Sequence, residues 1–168
     1  MKRMKTLLIL RHAKSSWKFP DLSDHDRPLN KRGKRDAPIM GGLLKEKDLV
    51  PDLIISSTAR RARDTAETVA KHSGYKGKRN KFESLYAAEP DAYLTVLRNL
   101  SDEYQKVLIV GHNPGLEELI EKLTGEYHIM PTCTLAHIEF DMEKWSALLH
   151  RGTDHGRLVD IQGPHESE

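Results

Sequence analysis

The sequence predicts an α/β chain, a three-layer α/β/α sandwich with a mostly parallel central sheet. Three short apolar runs carry that reading: Thr6-Leu7-Leu8-Ile9-Leu10, Leu53-Ile54-Ile55 and Val107-Leu108-Ile109-Val110. Continuous runs of this length suit strands buried on both faces. Between them apolar residues recur at helical spacing, and alternation of strand with helix implies parallel strands joined by crossover helices.

After the first run, Leu29 and Asn30 read as staple residue and N-cap of a helix whose Ala37, Met40 and Leu44 face a core. Pro38 predicts a kink or break within it. A second helix spans about Ala59 to His72, where Ala59, Ala62, Ala66, Val69 and Ala70 share one face and Gly74 supplies the stop. A short helix from Asp91 to Leu100 precedes the third apolar run. The next helix opens with Asn113 as N-cap and Pro114 as first helical residue, carries Leu116, Leu119, Ile120 and Leu123 as its stripe, and ends at Gly125. Glu117 and Glu118 suit its first turn. Beyond Pro131, Leu135 to Asp141 and Arg157 to Ile161 alternate as strands toward one side of the sheet.

With no repeat or Ser/Gly-rich linker, the 168 residues read as one domain over 1–168, folded from about residue 4 to 162 with 163–168 a frayed tail. A chain of this length can bury roughly two-thirds of its unfolded surface, so a core forms without disulfides or structural metal. The single cysteine, Cys133, excludes an internal disulfide and a four-cysteine centre, and it suits a reducing compartment. The apolar run after the basic Met1–Lys5 stops at Arg11-His12, too soon for a signal peptide, and no stretch is long enough to span a membrane. A cytoplasmic monomer is expected. The 27 basic against 25 acidic residues remove any global argument for nucleic-acid binding. Local clusters at Arg27–Arg35, Arg60–Arg63 and Lys76–Lys81 read first as solvated faces and second as anion-attracting surface.

The chemistry gathers at three strand ends: Arg11-His12, then Ser56-Ser57-Thr58 leading to Arg61, then Gly111-His112-Asn113. In an open α/β sheet such ends meet in one crevice. Charged or imidazole groups closing an apolar run are costly unless they face a polar cleft. Among the arginines of the second segment, Arg60 and Arg63 have carboxylates four residues on, at Asp64 and Glu67, whereas Arg61 has Thr65. Arg61 thus stands near a helix start, where free amides favour an anion, or pairs loosely with Asp64.

These residues resemble the histidine phosphatase superfamily. Arg11-His12-Ala13 is similar to its arginine-histidine-glycine signature, Arg61-Ala62-x-x-Thr65-Ala66 to its second arginine motif, and Gly111-His112-Asn113-Pro114 to its second histidine motif. Order and spacing agree from about residue 5 to 162. The short length, the stretch Arg11 to Trp17 and Asp26-Arg27-Pro28-Leu29 look most like SixA-type phosphohistidine phosphatases. Ala13 departs from the usual glycine, and alanine is small enough to leave the pocket open. The resemblance implies the phosphoglycerate mutase-like fold, His12 as the nucleophile that takes the phosphoryl group, and Arg11, Arg61 and His112 as its holders. It implies neither metal nor other cofactor, since neutral imidazole is nucleophilic near neutral pH.

The leaving group decides the substrate. An alkoxide needs a proton donor, for which Glu89 is the first candidate and Asp24 and Asp26 weaker ones; Glu89 reads equally as an exposed first-turn acid. An imidazole leaving from phosphohistidine needs less help. The stretch between Arg61 and His112 leaves little chain for an enclosing cap, so an open site for a phosphorylated protein is expected. Lys14 and Ser15 then touch the phosphate or its neighbour, while Arg27 binds substrate and the basic cluster around it steers an acidic partner. The rival readings are a phosphomonoesterase or mutase acting on a small phosphorylated metabolite, a phosphoprotein-binding module without turnover, and a metallohydrolase using some of the nine histidines. No metal-ligand spacing supports the last. His137 is expected to face solvent, His25 to be a surface residue and Cys133 to be packing; Trp17 and Trp145 receive no role.

Overall fold

Residues 4–149 and 156–165 are described in the computed structural model of the chain. Strands β1 (Met4–Arg11), β2 (Leu53–Ser57), β3 (Arg79–Phe82), β4 (Lys106–Gly111), β5 (Leu135–Asp141) and β6 (Arg157–Gln162) form one sheet in the order β3-β2-β4-β1-β5-β6. β3, β2, β4 and β1 run parallel; β5 and β6 lie at one side, as the sequence implied, and run antiparallel. Helices α1 (Lys31–Glu46) and α2 (Arg60–Ser73) cover one face; α3 (Pro90–Arg98) and α4 (Gly115–Thr124) cover the other.

Period-two alternation divides the apolar runs between two cores. Leu7, Ile9, Leu53, Ile55, Val107 and Ile109 join the α3–α4 side, and Leu8, Leu10, Ile54, Leu108 and Val110 join the α1–α2 side. Trp145 fills the first core, its indole Nε1 donating to the Tyr104 carbonyl at 2.8 Å. Cys133 is fully buried in the second, and burial pushes its thiol up to about 12, so it packs and does not react.

Asn30 caps α1 as expected, its side chain accepting from Gly33 N–H at 2.9 Å. α1 does not break at Pro38. That residue lies off the buried stripe, next to exposed Ile39 and one turn beyond exposed Lys34, so the carbonyl deprived of its helical partner is on the solvent side. α4 starts one residue later than expected. Pro114 is its N-cap, and Asn113 instead donates its side-chain amide to Met130 O at 2.8 Å. β3 escapes the sequence pattern because it is a four-residue edge strand, Arg-Asn-Lys-Phe, with no apolar run. His137 does not face open solvent: α1 overhangs β5 and leaves its side chain 12% exposed, 3.3 Å from Glu139. Of the expected frayed tail, 166–168 lie outside the described residues, while Gly163 is buried and His165 Nε2 sits 3.1 Å from buried Asp36. His150 and His155 also fall outside. No helix among the described residues is long and apolar enough to cross a membrane.

Candidate active site

β1, β2 and β4 are neighbouring parallel strands, so their carboxyl ends deliver their last residues to one edge. There a cavity of about 240 Å³ is lined by Arg11, His12, Lys14, Ser15, Arg27, Arg61 and His112, together with Trp17, Asn113 and Thr132. Of the proposed site residues, the three proton-donor candidates Glu89, Asp24 and Asp26 are missing from that wall. Glu89 is the exposed N-cap of α3, one position ahead of the first turn, and makes no side-chain capping bond, so it stands on the surface rather than at the cavity.

The two imidazoles are adjacent, their ring centroids 5.1 Å apart and planes tilted by 53°. His12 Nδ1 lies 2.8 Å from Ala13 O. A carbonyl only accepts, so we assign the proton to Nδ1, which leaves the Nε2 lone pair free. Ala13 contributes through its backbone: its carbonyl holds His12, its N–H donates to Thr65 Oγ1 at 2.9 Å, and its methyl lies in the α1–α2 core. Thr65 Oγ1 in turn donates to Arg61 O at 2.7 Å, tying the end of β1 to the start of α2.

His112 Nε2 is 2.6 Å from Ser57 Oγ, which also accepts from Ala59 N–H. We assign the serine proton to that contact, which puts the imidazole proton on Nδ1, a buried atom with no hydrogen-bond partner among the described residues. Burial dominates both rings and lowers His12 to about 3 and His112 to about 4, with Arg61 and Arg11 pushing the same way. Both are therefore neutral near pH 7, one offering a lone pair and the other a donor.

Three guanidinium groups surround them. Arg61 is 7% exposed, with Nη1 donating to Asp24 O at 2.7 Å and Nη2 to Asp24 Oδ2 at 3.1 Å; Asp24 is thus its partner, not Asp64. Arg11 Nη1 donates to Met130 O at 3.1 Å. Arg27 Nη2 donates to Ser15 Oγ at 2.6 Å. The Nε atoms of all three are buried without a hydrogen-bond partner among the described residues, Arg27 Nε lying 3.5 Å from Asp24 Oδ1 as an ion pair. Burial lowers Arg11 and Arg27 from the usual arginine value, with the neighbouring Arg61 pushing the same way.

Sequence reasoning undervalued Asp24 and passed over Tyr86. The Tyr86 hydroxyl donates to Asp24 Oδ2, and its ring meets both His112 and His25 edge-on at 5.7 and 4.9 Å. His25 is no bare surface residue: Nε2 is 2.9 Å from Thr58 Oγ1. No local pattern announces contacts that join residues 24, 61 and 86.

Comparison with known proteins defines the class. Residues 7–84 match the histidine phosphatase superfamily (branch 1). A structure from Agrobacterium tumefaciens described as a phosphohistidine phosphatase SixA is similar to this chain at 31% identity and TM-score 0.80, over 95% of this chain and 98% of that one. An uncharacterized protein of Mycobacterium leprae is 40% identical over 119 residues, covering 69% of this chain and 71% of that protein. A protein histidine phosphatase SixA complexed with tungstate shares the fold, with TM-score 0.80 at 22% identity over 95% and 97% of the two chains. The chain belongs to the histidine phosphatase superfamily, and these solved neighbours of SixA type share its architecture over 95% of its length.

Proposed function

We propose that this protein is a cytoplasmic, metal-independent phosphatase that removes phosphate from phosphohistidine on a protein, by way of a covalent phosphohistidine on His12. The observation that carries the reading is the pairing of an Nδ1-anchored His12 with a donor-bearing His112, ring centroids 5.1 Å apart, inside a wall of guanidinium groups. His12 Nε2 bonds to phosphorus in line as the bond to the leaving nitrogen breaks. That nitrogen keeps the electron pair, and its ring departs as neutral imidazole with a proton from solvent. Water oxygen then bonds to phosphorus, the pair returns to His12 Nε2, and the water proton passes to solvent. Arg11, Arg61 and His112 Nδ1–H hold the equatorial oxygens, whose charge stays high throughout.

The substrate class follows from the carboxylates. None of the described residues lining the cavity is Asp or Glu. Asp24, next to it, is held below the usual carboxylate range by the Tyr86 hydroxyl and Arg61, so it remains ionised and makes a poor acid. A cavity with no carboxylic acid among its described lining residues suits an imidazole leaving group better than an alkoxide. Exposed Lys14 beside the cavity and the basic Arg27–Arg35 segment suit an acidic phosphoprotein. Rates on a phosphohistidine-bearing protein, phosphoramidate, phenyl phosphate and phosphoglycerate, each measured with excess EDTA, test the proposal. Preference for the two P–N substrates is expected. Preference for phosphoglycerate moves the reading to a metabolite enzyme, loss of rate in EDTA ends the metal-independent reading, and binding without turnover leaves a recognition module.

A further inference from the structure

Trp17 is 75% exposed, whereas the other tryptophan, Trp145, is fully buried. An indole in water forfeits the burial that ordinarily justifies so large an apolar ring. It is nevertheless held in place. The guanidinium carbon of Arg27 lies 3.5 Å from the Trp17 ring centroid and covers one face of it. Arg27 is itself 8% exposed, fixed by Ser15 Oγ at 2.6 Å and by Asp24 Oδ1, 3.5 Å from its Nε. The ring borders the same cavity as His12. An exposed aromatic plane, immobilised from below by a buried cation and set at the mouth of a phosphate-sized pocket, has the form of a stacking platform.

We propose that Trp17 determines leaving-group specificity by stacking against a planar ring attached to the phosphoryl group, the imidazole of phosphohistidine under the function proposed above. The pocket floor is polar and grips the tetrahedral anion. The ring the anion is attached to projects toward the rim, and there Trp17 offers it an aromatic face that a non-planar leaving group does not use.

Phosphohistidine and phosphoramidate isolate this effect, since both present a P–N bond and only one carries a ring. The Trp17→Ala variant should lower the ratio of their kcat/KM values by about 2- to 12-fold, the range of one aromatic pair. Trp17→Phe should hold the ratio within about 2-fold of wild type. Because Trp17 is exposed, Ala at this position removes no core packing, and an unchanged thermal melt checks it. A fall shared equally by both substrates, or no fall, overturns the stacking role while leaving the phosphatase reading intact. If wild-type protein does not cleave phosphohistidine, the substrate assignment fails instead. The same ratio is then read for phenyl against methyl phosphate, where a selective loss sustains the platform and an equal loss ends it.

Discussion

Asp24 occupies the Arg61 guanidinium twice, through its backbone carbonyl at 2.7 Å and its carboxylate at 3.1 Å. An anion entering the cavity meets an arginine already holding a negative charge, with Arg27 Nε also 3.5 Å from that carboxyl. The carboxylate both orients the guanidinium and stands in competition with any incoming anion for it.

Asp24→Asn keeps an acceptor oxygen and removes the competing charge. Inorganic phosphate should then bind roughly 3- to 10-fold tighter in calorimetry at low salt, a change on the scale of one nearby charge in a mostly aqueous setting. Equal or weaker binding would show that orientation of Arg61 outweighs competition.

The two imidazoles make stability depend on pH in a definite direction. Their folded values, about 3 and about 4, lie below the unfolded value near 6.5. Between these limits the unfolded chain binds protons that the folded chain refuses, so stability is complete above about pH 6.5 and falls as pH drops toward 4. On the order of 1–3 kcal/mol per ring should be lost between about pH 6.5 and 4.5 in denaturant titrations. His12→Asn should give a shallower slope. Ring resonances of His12 and His112 should not titrate between pH 7 and 5; a midpoint near 6.5 for either would contradict the burial argument.

The main strands and helices, and the gathering of Arg11, His12, Arg61 and His112 at one cavity, were legible because each depends on local pattern. Buried runs mark strands, and a polar residue closing such a run marks the edge they share; Arg11, His12, Arg61 and His112 all belong to such segments. Edge strand β3 was not legible, since a strand paired on one side needs no apolar run. Nor was the choice between Glu89 and Asp24. Glu89 had the better position in the sequence, but the chain turns it outward, while the three-residue turn at Asp24–Asp26 brings Asp24 back to Arg61 and Tyr86. That choice rests on contacts between residues far apart in the chain, which spacing does not encode.

Thr65 tests the link between β1 and α2. Its hydroxyl accepts from Ala13 N–H and donates to Arg61 O, both buried. Thr65→Val keeps the shape and strands the Ala13 N–H, which should cost about 1–3 kcal/mol in denaturant unfolding. Since Ala13 O anchors His12, kcat should also fall in the folded variant. Thr65→Ser should recover most of both. A valine variant with wild-type kcat would separate this tether from placement of His12.

Two glycines of α1 predict opposite outcomes for the same substitution. At Gly33 an added Cβ would stand 2.2 Å from Lys14 O, a backbone atom of the loop that carries the cavity's Lys14 and Ser15. That loop is pinned here, since Lys14 O also accepts from Asn30 N–H and Ser16 N–H donates to Pro28 O. Gly33→Ala must displace the loop, so it should lose roughly 1–3 kcal/mol of stability and raise KM. At Gly42 an added Cβ meets nothing within 4 Å. There Gly42→Ala should gain up to about 1 kcal/mol from helix propensity alone and leave turnover as it is. Thermal melts and steady-state kinetics on the two variants check both signs at once. If they behaved alike, the close approach of α1 at Gly33 to Lys14 O would be wrong.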